Sequence, residues 1–471
     1  MHRILSIKTG LIVFLLLTSA YAFSGPGYLV KFKVKGMKDT TCIIANYYGN
    51  GTYVKDTVKI DKNGAFQFKA DDKLEKGLYM VILSDKKYFE FIINNDRKFS
   101  METQLPDVQD KIVITNSPEN TLFYSYLKNT KQQYSAMQAI ESKYASPKTK
   151  EDTLMIRNKV DSINKDLIHY KNEVAEKNPD SFVALLINAM REPDVPEAPV
   201  LPNGRKDSTF AFKYYFKHYW DGSDFADDRL LRTPVFYNKL KKYYDNVVVQ
   251  TPDSVMNAVD RLIELSKPNP EMYKYMLWFA TYHYESSEIM GFDKVFIHLV
   301  DKYYVTNEAT WVNETVRQSL IKKANKLRPL LIGAVAPNMV MMDTLNQLIS
   351  LYNLDVNYTI VLFWDPECGH CEKEIPKLKE FYDANKVKLG LEIFAVCSDS
   401  SMVKMKNAIR KKGTTWINVN GPRRLTGNYH DEYDITTTPT IYILNRKKEI
   451  IAKQIRTEMI EQFFKNYKPK G

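Results

Sequence analysis

Residues 360–381 read IVLFWDPECGHCEKEIPKLKEF. An apolar, β-branched run ends in Trp364, and an amphipathic run begins at Cys371. The first is the composition of a buried strand and the second has helical spacing. Cys368 and Cys371 therefore fall at a strand-to-helix junction. A C-x-x-C pair can hold metal, form a fixed disulfide, or exchange disulfides. Zinc commonly takes four ligands, often from a second such pair, and no second pair with suitable spacing occurs. Cys397 and His370 could be recruited only by an accident of folding. A fixed disulfide stays open on spacing alone. Exchange is what the junction favours, because a thiolate is the reactive form and a helix N-terminus offers it free N–H groups and partial positive charge. Cys368 would attack a substrate disulfide, and Cys371, one turn on, would resolve the mixed disulfide.

Outward from this stretch, residues 333–471 alternate strand-like YTIVLFW, LEIFAVCS, TWINV and TIYIL with helix-like CEKEIPKLKEFYDAN and SMVKMKNAIRKK. That alternation predicts an α/β domain built on crossovers.

VLFWDPECGHCEKEIPKL resembles the thioredoxin fold, and specifically the exported TlpA/ResA-type thiol–disulfide oxidoreductases. IGAVAPNMVMMD (332–343) is similar to their lead-in strand, Pro376 sits where thioredoxins kink the active-site helix, and YDITTTPTIYILN resembles the segment with a cis-proline facing the disulfide. The resemblance covers residues 333–471 and none of the first 330. It implies that Cys368 is the nucleophile and Cys371 the resolving thiol. It also implies that Trp364 packs beside the disulfide, and that Pro439 is the cis-proline, with the Thr438 backbone left free to pair with an extended substrate and metal kept from the thiols. Cytosolic thioredoxins place a buried Asp where this chain has Leu362. Glu374 matches a Glu typical of the TlpA/ResA group, and is expected to tune the thiols or relay the proton, against the plainer reading of a solvated helix residue.

His370 makes the motif CGHC, as in the disulfide isomerases. A cationic His beside the Cys368 thiolate stabilises the reduced form and would raise the potential toward roughly −180 mV, from roughly −270 mV for thioredoxin. Glu367, Glu372 and Glu374 oppose it, so the direction of exchange stays open. A peroxidase would need a Pro-x-x-x-Thr-x-x-Cys setting, which YTIVLFWDPEC lacks.

Upstream the pattern changes twice. Residues 23–116 alternate with period two: YLVKFKVKGM sets Val30, Phe32 and Val34 against Leu29, Lys31 and Lys33, and YVKDTVKIDKNGAFQFKA reads as a hairpin turning at Asn63–Gly64. A small β-sandwich is predicted, with Cys42 a buried strand residue. Residues 117–330 carry apolar residues three and four apart, as in ENTLFYSYLKNTKQQYSAMQAIESKY and DSVMNAVDRLIELS, broken by the Pro-rich EPDVPEAPVLPNGRKD. Their many Tyr and Phe read as helix packing. His169, His218, His283 and His298 lack metal-ligand spacing.

The first 22 residues, MHRILSIKTGLIVFLLLTSAYA, have basic residues, a short apolar run and a small-residue cleavage site, the layout of a secretory leader cut after Ala22. With four cysteines in 471 residues the exported chain is no disulfide scaffold. Its formal charge of +11 comes with Lys, Asp and Glu interleaved, a basic solvated surface and not a nucleic-acid footprint.

The predicted architecture is multi-domain: an N-terminal all-β sandwich, a middle all-α helical domain and a C-terminal α/β thioredoxin fold. This layout resembles multi-domain exported thioredoxin-like proteins of Gram-negative bacteria, which implies the periplasm or cell envelope. The expected function is exchange with protein thiols and disulfides, supported by an upstream redox partner. No cofactor beyond a redox-active Cys368–Cys371 disulfide is expected, nor any metal, nucleic acid or membrane span after leader removal. The oligomeric state is left open. The competing reading is an envelope binding or scaffold protein whose N-terminal domains carry the function.

Overall fold

The computed structural model describes residues 27–71, 73–143 and 149–468. The leader reading of residues 1–22 lies outside them. The chain divides into two compact units, Met1–Ser223 with Arg229–Leu240 and Asp224–Asp228 with Lys241–Gly471.

The first unit opens with β1 (Tyr28–Lys35), β2 (Thr40–Tyr48), β3 (Gly51–Ile60), β4 (Ala65–Ala70), β5 (Gly77–Ile82), β6 (Tyr88–Ile93), β7 (Lys98–Gln104) and β8 (Val113–Thr115). They form two four-stranded sheets, ordered β4-β1-β7-β8 and β3-β2-β5-β6. The alternation read in β1 holds: Tyr28, Val30, Phe32 and Val34 are buried while its lysines face water. One core joins Phe32, Phe66 and Met101 of the first sheet to Cys42, Ile44, Tyr79 and Phe91 of the second, as in a sandwich.

The turn at Asn63–Gly64 forms, but it makes no hairpin. Asp61 accepts the N–H groups of Asn63 and Ala65 at 2.7 and 2.9 Å, and Gly64 takes φ 79° with its Cβ position only 2.3 Å from the Val34 carbonyl oxygen. β3 nevertheless pairs with β2, and β4 pairs with β1. The turn carries the chain from one sheet to the other. Phe66 and Phe68 must be buried, and Phe66 stacks on Phe32 of β1 at 5.0 Å, whereas Thr52 to Thr57 of β3 stay exposed along an edge. The strand KFSMETQ escaped the sequence reading altogether. It is β7, and it runs parallel to β1 in the middle of its sheet, with Phe99, Met101 and Thr103 inward.

Helices α1 (Pro118–Lys143), α2 (Lys150–Lys177), α3 (Phe182–Met190), α4 (Phe210–His218) and α5 (Pro234–Lys242) follow. Leu78 of β5 and Ile92 of β6 point away from the sandwich core and pack with Phe123, Tyr126, Phe182 and Leu186 of α1 and α3. Both faces of β5 and β6 are therefore covered, which is why they read as nearly unbroken apolar runs. β6 ends its sheet, and side chains take up its outward backbone groups. Asn120 brackets Ile92, accepting its N–H at 2.7 Å and donating to its carbonyl at 3.0 Å. Tyr124 donates to the Glu90 carbonyl at 2.7 Å and Gln109 to that of Tyr88 at 3.3 Å.

The second unit begins with α6 (Pro252–Ser266), α7 (Pro270–Glu285), α8 (Asp293–Leu299) and α9 (Glu314–Leu327). Thr251 and Asn269 cap α6 and α7, each followed by a proline that needs no N–H partner at the first helical position. The α/β part follows: β9 (Val340–Asp343), β10 (Leu348–Ser350), β11 (Tyr358–Trp364), α10 (Gly369–Leu389), β12 (Leu391–Cys397), α11 (Met402–Lys412), β13 (Ile417–Arg424), α12 (Tyr429–Glu432), β14 (Thr440–Asn445), β15 (Ile450–Lys453) and α13 (Ile460–Asn466). The seven strands lie in the order β10-β9-β13-β12-β11-β14-β15. β11, β12 and β13 are mutually parallel, and β14 runs antiparallel to β11. Ile360, Leu362 and Trp364 face α10 and α13, while Val361 and Phe363 face Tyr429, Tyr433 and Tyr442. Lys453 of β15 forms a buried ion pair with Asp293 of α8 and also donates to the Leu330 carbonyl at 3.1 Å. This fastens the helices to the sheet edge.

Among the described residues no helix is long and apolar enough to cross a membrane.

Candidate active site

The site is built where β11 meets α10. Asp365-Pro366-Glu367-Cys368 closes a turn in which the Cys368 N–H donates to the Asp365 carbonyl at 3.3 Å, with proline in the second position that such turns favour. The Asp365 side chain accepts the Glu367 N–H at 2.8 Å and the Ser398 hydroxyl at 2.7 Å. The turn delivers Cys368 to the N-cap of α10, at φ −78° and ψ 119°, beside the helix's unpaired N–H groups.

Cys368 and Cys371 are both free thiols here, the dithiol form of the pair. They differ sharply in surroundings. Cys368 is half-buried, and its thiol donates to the Thr438 carbonyl at 3.2 Å. Burial works against its thiolate. Hydrogen bonding with the Thr438 side chain, with the Cys371 N–H and thiol, and with the His370 N–H outweighs burial and holds its pKa below the ordinary thiol value. Cys371 is fully buried, and burial pushes its pKa up to about 12, although the Asp365 N–H donates to its sulfur. One thiol is poised to attack and the other is held protonated until a reaction calls on it.

The remaining predicted residues lie around this pair. Trp364 ends β11, is 2% exposed, and packs in the same core as Cys371, with Cys368 against its rim. Thr438 and Pro439 are half-buried and joined by a cis peptide bond. His370 is exposed on the first turn of α10. Glu374 is one turn beyond Cys371 and is partly buried. It pairs with Lys377 at 2.7 Å, which is the leading cause of its lowered pKa, and also bonds with Thr457. Leu362 is buried among Trp364, Cys371 and Ile375.

The acidic flank read in the sequence is ion-paired. Glu367 meets Lys404 at 2.8 Å. Glu372 meets Lys411 at 2.9 Å and Lys412 at 2.6 Å, and these partners hold its carboxyl at about 2. With Lys377 on Glu374, each of the three carboxylates has a lysine beside it, and the lysines of Glu367 and Glu372 all come from α11. The negative charge that opposes His370 in the sequence is thus locally countered.

Cys397 ends β12, in register with Trp364, and is a fully buried free thiol with its pKa pushed up to about 12 by burial. Cys42 is likewise buried in β2, its pKa raised to about 12 by burial. Among the described residues no group of three or more His, Cys, Asp or Glu side chains is arranged to hold a metal. Asp365 and Ser398 were missed in the sequence. The Asp-Pro turn signature was legible, but nothing local says that Ser398, across the sheet, completes it.

A central parallel strand that releases C-x-x-C onto a helix N-terminus, opposite a cis-proline, defines a thioredoxin-like thiol–disulfide oxidoreductase domain. Comparison with known proteins gives the same class. Residues 332–453 match the AhpC/TSA family, and residues 28–123 and 168–327 match two domains of unknown function, DUF4369 and DUF5106. The thiol-disulfide oxidoreductase ResA of Bacillus thuringiensis (strain Al Hakam) is 28% identical over 163 residues, 34% of this chain and 89% of its own length. Sporulation thiol-disulfide oxidoreductase A of Bacillus subtilis (strain 168) is 34% identical over 107 residues, 22% of this chain and 62% of that protein. A solved thioredoxin-like protein from Bacteroides caccae superposes with a TM-score of 0.46 at 19% identity, over 59% of this chain and 100% of that one. The C-terminal domain is a thioredoxin-like domain with ResA-like thiol–disulfide oxidoreductases as its homologues.

Proposed function

We propose that the protein is an exported oxidoreductase that exchanges disulfides with protein substrates through Cys368 and Cys371. The observation that carries this reading is the contrast between the two thiols: one half-exposed with a lowered pKa, the other buried with a pKa near 12. Cys368 attacks a substrate disulfide. A mixed disulfide forms and one substrate sulfur leaves as a thiolate. Cys371 then displaces the second, leaving a Cys368–Cys371 disulfide that an upstream redox partner returns to the dithiol. No other cofactor is invoked. Trp364, Thr438 and Pro439 form the surface on which an extended substrate segment rests. His370 biases the pair toward the oxidising side, since its acidic neighbours are countered by lysine. Glu374 shapes the field along α10. The leader composition of residues 1–22 supports export, and the layout of a β-domain and a helical segment before the thioredoxin-like domain supports the periplasm or envelope of a Gram-negative bacterium.

The test is a pair of single substitutions assayed on insulin and on a model peptide disulfide. Cys368→Ser should abolish turnover, and Cys371→Ser should accumulate mixed disulfides that identify substrates by mass. A wild type unreactive toward dithiol redox buffers sinks the reading and returns the function to the N-terminal domains.

A further inference from the structure

Asp365 touches both cysteines through its backbone. Its carbonyl accepts the Cys368 N–H at 3.3 Å, and its own N–H donates to the Cys371 sulfur. Its carboxylate fastens this arrangement. One oxygen holds the Glu367 N–H at 2.8 Å and the other the Ser398 hydroxyl at 2.7 Å, while the Ser398 N–H donates to the Trp364 carbonyl at 2.9 Å. The loop between β11 and α10 is thereby pinned to the end of β12. Glu374, by contrast, is engaged with Lys377 and Thr457.

We propose that Asp365 is a positioning residue for the resolving step, holding the Cys371 sulfur against its N–H and Cys368 at the helix N-cap. This rests on the exchange reading above. In that step Cys371, having lost its proton to water, attacks the Cys368 sulfur. The Cys371–Cys368 bond forms, the bond from Cys368 to the substrate sulfur breaks, and the electron pair leaves with the substrate sulfur, which takes a proton from water. Charge therefore begins on a fully buried sulfur, and the Asp365 N–H, together with the Thr438 side chain, is a donor already in place for it. Losing the side-chain anchors frees that N–H to swing away without removing it from the chain.

The test uses the reduced full-length protein and the aromatic disulfide 5,5′-dithiobis(2-nitrobenzoate). Attack by Cys368 releases the first thionitrobenzoate, and resolution by Cys371 releases the second, so the two phases are read separately. Asp365→Ala should slow the second phase by about tenfold or more, the scale of one hydrogen bond to a charged group, and the first phase by less. Asp365→Asn keeps an acceptor for the Glu367 N–H and a partner for Ser398, and should return the second phase to within about threefold of wild type, the scale of a neutral bond replacing a charged one. Ser398→Ala removes a single anchor and should slow resolution by roughly two- to fivefold, and it decides the matter should Asp365→Ala not fold. Wild-type resolution in Asp365→Ala, or in Ser398→Ala where that variant decides, overturns the proposal. So does an Asp365→Asn as slow as Asp365→Ala. A wild type with no first phase overturns the exchange reading itself, whereas a normal wild type beside a normal Asp365→Ala removes only the positioning role.

Discussion

The Cys368 sulfur lies 3.2 Å from the carbonyl oxygen of Thr438, the residue joined by a cis bond to Pro439. In the dithiol form, the backbone group proposed to receive an extended substrate is occupied by the nucleophile's own proton. Once Cys368 ionises, that donor is gone, and the same carbonyl becomes available to a substrate N–H. Under the proposed docking at Thr438, ionisation of the thiol and opening of that edge are one event.

The potential of the pair should follow the charges around it. His370→Pro removes the cation-capable side chain and should shift the potential downward by up to about 90 mV, the span between CGHC isomerases and thioredoxin. Lys411→Gln with Lys412→Gln strips Glu372 of its partners and should shift it in the same direction by roughly 5–20 mV, the scale of exposed ion pairs. Equilibration against glutathione buffers measures both. An upward shift in either variant would refute the charge argument for that side chain.

Alkali should weaken the reduced protein through its buried thiols. Cys371 and Cys397 have ordinary values of 9.0 raised to about 12 by burial. Between these limits the unfolded chain has released thiol protons that the folded chain retains. The unfolded state binds fewer protons, and stability falls as pH rises. Cys368, with its pKa lowered, works the other way and only below 9.0, where the folded thiolate forms first. From pH 9 to 10 the loss should approach, at most, about 1.4 kcal/mol for each buried thiol. Urea unfolding of wild type beside Cys371→Ala and Cys397→Ala tests this; equal slopes in all three would refute it.

Removing one member of the Asp293–Lys453 pair should be costly. Both side chains are nearly buried, at 12% and 8% exposure, so Asp293→Ala leaves an uncompensated charge at the sheet edge. The expected loss is about 3–5 kcal/mol by chemical denaturation, with much of it recovered in Asp293→Leu/Lys453→Met, which removes both charges. A double variant as unstable as the single would mean that packing, not charge, makes the joint.

Much of this was legible in local pattern. Period two in β1, helical spacing from α1 to α9, and the strand–CGHC–helix junction all follow from what a neighbour or a turn of helix requires. The misses share a cause. β7 has only Phe99 and Met101 as apolar residues, with Ser100 between them and Glu102, Thr103 and Gln104 after, and its place in the middle of a sheet comes from pairing with β1, far back in sequence. The Asn63–Gly64 turn was visible, but which sheet each flanking strand joins is decided by Phe66 finding Phe32. Glu374 has its counter-charge nearby in Lys377, but Glu367 and Glu372 looked unopposed because their lysines on α11 lie some tens of residues away, brought in by the crossover. Periodicity says which face a residue shows; it does not say whom that face meets.

Asn120, Tyr124 and Gln109 occupy the open side of β6, and β3 at the other end of its sheet shows Lys55, Asp56 and Lys59 to water. One border is already bonded and the other is charged, so neither invites a stray chain to extend the sheet. For a protein whose proposed clients present extended segments, this is quarantine: a chain bound for Thr438, as proposed, finds no open edge on that sheet to extend.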